Sequence, residues 1–110
     1  MEKFIDILNV FTTRNRIRIF KLVSRKMLSL KQITDATGID NDEVRQSLDR
    51  FIDIGLIKQI GSDDNALFFA KSEDSLFNPP LQGLVRILKN SFNKDKQVIE
   101  DFRRVNRIKE

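Results

Sequence analysis

The 110 residues are 40% apolar, with nine phenylalanines, which is enough for the core of one domain and leaves no room for two. The absence of cysteine and histidine excludes disulfides, thiolate zinc sites and cysteine nucleophiles. It also removes the commonest general base and metal ligand, so the composition argues against an enzyme. The net charge of +4 hides a pattern: residues 1–31 carry eight Lys or Arg against two acids, residues 32–80 four against ten, and residues 81–110 eight against four.

The start, Met1 to Asp6, has acids where a signal peptide needs an uninterrupted apolar run, and no apolar stretch reaches membrane-spanning length. A soluble, cytoplasmic chain with no membrane partner is therefore expected. Phe4, Ile7, Leu8 and Phe11 recur at helical spacing and predict a short amphipathic helix over 2–11. Thr12 or Thr13 then offers a cap for a second helix with Ile17, Phe20 and Val23 on its apolar stripe, widened by Ile19 and Leu22. Its polar face reads as Arg14, Arg16, Arg18, Lys21 and Arg25. Met27 to Ser29 is long enough for a single β-bridge. Ser29 with Gln32 three residues on is a capping box for a third helix, which Gly38 closes.

Asp40 with Glu43 repeats the capping pattern, and Val44, Leu48, Phe51 and Ile52 form the apolar face of a helix from about Asn41 to Ile54, closed by Gly55. Beyond it, Leu56–Ile60 and Ala66–Ala70 are rich in β-formers and flank the turn residues 61–65, so they predict a hairpin. Phe77, beside Pro79 and Pro80, is expected as a core plug. From Leu81 the apolar positions stay in phase to Val105. One helix of about 30 residues, roughly 45 Å long, fits that spacing. So do two helices broken near Asn93, and the weak helix formers Asn90, Ser91 and Asn93 with Asp95 as a cap favour the break. The expected architecture is mainly α with a small β-hairpin: residues 1–78 as one unit and 79–110 as a C-terminal helical extension.

The order helix, helix, short strand, helix, tight glycine turn, helix, hairpin is that of a winged helix-turn-helix. Arg16 to Val23, Leu28 to Leu30, the Gly38-Ile39 turn, Val44, Leu48 and Phe51, Ile54 to Ile57, and Leu67 to Phe69 resemble the corresponding segments of ArsR-like transcription regulators over about residues 12–72. The resemblance implies a DNA-binding regulator whose helix 41–54 lies in the major groove of double-stranded DNA. Asn41, Arg45 and Gln46 are then the candidates for base edges, Arg45 toward guanine and Asn41 or Gln46 toward adenine. Lys31 and Thr34 are the candidates for phosphates, with Arg14, Arg16 and Arg18 if they face the duplex.

A homodimer on a palindromic site is the companion expectation, with Phe4, Leu8, Phe11, Val98, Phe102 and Val105 as its interface; packing of the Val98 to Val105 stripe on its own domain is the equal alternative. The family's metal-sensing members use Cys, His and carboxylate ligands; with neither Cys nor His here, a weak hard-ion carboxylate site is all that is left open, and no metal or other cofactor is expected. One feature departs from the family: Asp40 to Gly55 holds five acids against two bases, and the hairpin tip carries Asp63 and Asp64. An acid beside a phosphate is repelled. The alternative is therefore a winged-helix protein-interaction module that presents an acidic surface to a basic protein partner.

Overall fold

The computed structural model describes residues 2–72 and 79–107, apart from the side chains of residues 3, 4, 80 and 81. The chain is mainly helical with one small antiparallel sheet. Helices α1 (Glu2–Val10) and α2 (Arg14–Arg25) are followed by strand β1 (Leu28–Ser29), helices α3 (Leu30–Thr37) and α4 (Asn41–Asp53), and strands β2 (Ile57–Ile60) and β3 (Leu67–Ala70). Helices α5 (Pro79–Asn90) and α6 (Lys96–Arg107) complete it. Phe77 lies outside the described residues. Among those described, no helix is long and apolar enough to cross a membrane.

The caps explain most boundaries. Thr13 accepts the Arg16 N–H at the start of α2. Ser29 and Gln32 exchange both bonds of a capping box on α3. Gly38 ends α3 at φ 71°, a left-handed conformation that glycine adopts without the free-energy cost borne by a residue with a side chain. The second expected box does not close. Asp40 accepts from the Asp42 N–H, while Glu43 accepts from the Asn15 amide of α2 at 2.8 Å instead.

Strand order is β1-β3-β2, all antiparallel, with Leu28 opposite Phe68 and Ile57 opposite Ala70. The short 27–29 segment thus pairs with the far strand of the hairpin. One core serves every element. Phe11, Phe20 and Phe51 form its aromatic centre, with ring centroids 5.0–5.4 Å apart. Val85 of α5 and Val105 of α6 belong to the same core.

The C-terminal region is two helices, broken at residues 91–95. Phe92 sits at φ 64° in the turn, and Asp95 caps α6 by accepting the Gln97 and Val98 N–H groups. The Val98 N–H chiefly, joined by the Arg14 charge and the Gln97 N–H and opposed by burial, holds the Asp95 carboxyl below the usual range.

Lys21, read as part of a polar face, is 1% exposed. Its ammonium donates to the Lys89 carbonyl at the end of α5 and to Asn93 Oδ1. Burial, and then the charge of Arg25, lower its pKa from the 10.5 of an ordinary lysine. Between that lowered value and 10.5 the unfolded chain binds the extra proton, so this group adds stability as pH rises through the window and loses it as pH falls. Urea unfolding of wild type and Lys21→Met at neutral and alkaline pH checks the sign: the difference should move in favour of wild type at the higher pH.

Candidate nucleic-acid interface

The start of α3, the start of α4 and the hairpin turn surround one open groove, lined by Leu30, Lys31, Asn41, Arg45, Asp63 and Asp64. Capping places these side chains. The box at Ser29 orients the first turn of α3 so that Lys31 faces outward. Gly38 turns the chain so that Asn41 and Arg45, one helical turn apart, lie on the same face of α4. Val44, Leu48 and Phe51 on the opposite face are fully buried and fix the rotation of α4 about its axis. The hairpin turn contributes Asp63, held at φ 56° in a short 3-10 turn.

Three of the expected DNA-contacting residues therefore share a groove: Lys31, Asn41 and Arg45. Gln46 is exposed on α4 beside them. Each cation of the groove already has an acid one turn along its own helix. Lys31 Nζ is 2.8 Å from Asp35 Oδ2, and Arg45 Nε is 4.0 Å from Asp49 Oδ2. Hydrogen bonding to Asp35, and then its charge, raises the pKa of Lys31. Exposed pairs of this kind are worth little and are readily exchanged for another anion.

The remaining phosphate candidates are placed elsewhere. Thr34 is half-buried and its Oγ1 is enclosed, with no hydrogen-bond partner among the described residues, so it does not face outward. Arg16 is half-buried and donates to the Asn9 carbonyl. Arg18 is a correction. Its guanidinium grips Asp101 of α6 through two bonds of 2.8 and 2.9 Å and donates to the Thr37 carbonyl at the end of α3. With side chains 10% and 1% exposed, the pair is closed to a phosphate.

Arg18 is one of four. Residues 14, 18, 21 and 25 fall at intervals of four, three and four, one stripe along α2, and every one is engaged by the C-terminal region. Arg14 binds Asp95, Arg18 binds Asp101, Lys21 caps α5, and Arg25 stacks on the Phe102 ring at 4.2 Å. From the other side, Arg104 donates to the Ala36 carbonyl, so two arginines meet the negative end of α3. The signal for this was Asp101 itself. It occupies an apolar stripe with Val98, Phe102 and Val105, and an acid in such a stripe needs a buried cation.

The expected dimer interface is corrected by the same packing. Phe11 is buried between Phe20 and Phe51, and Val98 and Val105 are buried under the chain's own helices. Phe102 is half-buried beneath Arg25, Leu8 is exposed, and the Phe4 side chain lies outside the described residues. No protein-family model matches the chain, and no curated protein matches it either.

Proposed function

We propose that the chain is a winged helix-turn-helix protein that binds double-stranded DNA with α4 and acts as a transcription regulator. The observation that carries this reading is where α6 lies. It packs across α2 and α3, and the outward side chains of α4 (Asn41, Asp42, Arg45, Gln46 and Asp49) stay exposed beside Lys31 and the hairpin turn. An exposed helix preceded by a tight turn, with a hairpin flanking it, is the geometry by which this architecture enters a major groove. Arg45 then reads guanine, Asn41 or Gln46 reads adenine, and Lys31 meets a phosphate once Asp35 is displaced. A second copy would pair through apolar residues that remain exposed, Ile5 and Leu8 of α1 among them.

A second reading has its own observation. The groove contains Asp63 and Asp64, and the acids at 35 and 49 offset its two cations, which suits a basic protein partner. Two variants separate the readings. Arg45→Ala should relax base preference by about 1–3 kcal/mol at one position of the site. The double variant Asp63→Lys, Asp64→Lys should tighten DNA binding without adding sequence preference. Mobility shifts on selected and scrambled duplexes measure both. Loss of a basic protein partner by the lysine variant, with DNA binding absent throughout, would favour the second reading.

A further inference from the structure

Apart from the α4 groove, the α2–α6 seam contains a cleft of about 270 Å³, bounded by the α1–α2 turn, the first turns of α2, and the α5–α6 turn. Its size is at the small end for ligand sites and suits a single ring. Ile17, Val98 and the Phe92 ring make the apolar walls. Phe92 is a bulky residue held at φ 64°, a conformation that costs free energy and that glycine would adopt without strain. Phe92 is 46% exposed and lines the cleft.

The polar groups at the mouth have donors to spare and few open acceptors. Arg14 reaches both oxygens of Asp95 through Nη2 alone, and its Nε and Nη1 make no contact among the described residues. The Thr13 oxygen accepts the Arg16 N–H and leaves its own hydrogen to donate. Asp95 Oδ1 is already an acceptor for Arg14, Gln97 and Val98, its Oδ2 accepts from Arg14, and the Thr12 hydroxyl donates to the Asn9 carbonyl. A donor surplus over an apolar wall matches a carboxylate on an aromatic ring.

We propose that this cleft binds a small aromatic carboxylate, its ring between Phe92, Ile17 and Val98 and its carboxylate on Arg14 and Thr13. Arg18 also lines the cleft, and its guanidinium holds the Thr37 carbonyl directly before the turn into α4. Occupancy is thereby felt one residue away at Gly38 and Ile39. The binding itself is independent of whether α4 contacts DNA.

Titration of the full chain, nitrogen-15 labelled, with sodium benzoate and with neutral benzamide tests this. Benzoate should give saturable amide shifts at Thr13, Ile17, Phe92 and Val98, extending to residues 37–39, with benzamide about tenfold weaker. Arg14→Gln should weaken benzoate about tenfold and leave benzamide unchanged. Phe92→Gly should raise the melting temperature by relieving the left-handed residue, yet weaken both probes. Shifts that fail to saturate, or that scatter over exposed lysines and arginines, would overturn the proposal. So would saturable binding that neither substitution alters.

Discussion

Replacing Arg18 with methionine is expected to lower unfolding free energy by about 3–5 kcal/mol, because it strands Asp101 in the interior. Arg18 makes four contacts at once: two to Asp101, one to the Thr37 carbonyl, and one to Asn15 Oδ1 at 3.2 Å. Among the described residues, Asp101 keeps only the Gln97 amide at 3.1 Å when the guanidinium is gone, too little for a carboxylate that is 1% exposed. The double variant Arg18→Met, Asp101→Leu should recover much of the loss, since an apolar pair of similar volume carries no desolvation cost. Urea unfolding of the four species gives the coupling. A loss under about 1 kcal/mol for Arg18→Met would place the pair with ordinary surface bridges and contradict the packing of α6 described above.

Phe51→Ala should be of similar size, about 3–5 kcal/mol, by a different route. Phe51 is fully buried, with ring centroids 5.2 Å from Phe11 and 5.4 Å from Phe20. It joins α4 to the two N-terminal helices, so truncation opens a cavity where three aromatic rings meet. Phe51→Leu keeps most of the volume and should cost less than half as much. Denaturant midpoints at constant slope measure both. Near-equal losses for Ala and Leu would mean that the ring's shape matters more than the volume it fills.

The elements were legible where a single residue controls a boundary. Ser29 with Gln32, Gly38, and Asp95 each act through a local hydrogen bond or dihedral, so sequence spacing reveals them. The groove was partly legible for the same reason, because helical spacing puts Asn41 and Arg45 on one face. The role of the α2 arginines was not. A basic stripe reads alike whether it meets phosphates or carboxylates, and Arg14 and Arg18 meet theirs 81 and 83 residues away. Val98 and Val105 show the same limit, since an amphipathic helix does not say which surface covers it. Phe92 had no signal at all: its left-handed backbone is imposed by the turn between two packed helices, against the preference of its own side chain.

The proposed DNA binding requires the outward face of α4 to meet a polyanion despite its carboxylates. A mobility-shift titration of the full chain on mixed-sequence duplexes at about 50 and 200 mM salt tests that most directly. With two or three phosphates neutralised, binding at the lower salt should weaken roughly 10- to 40-fold at the higher. No complex even at the lower salt would contradict it.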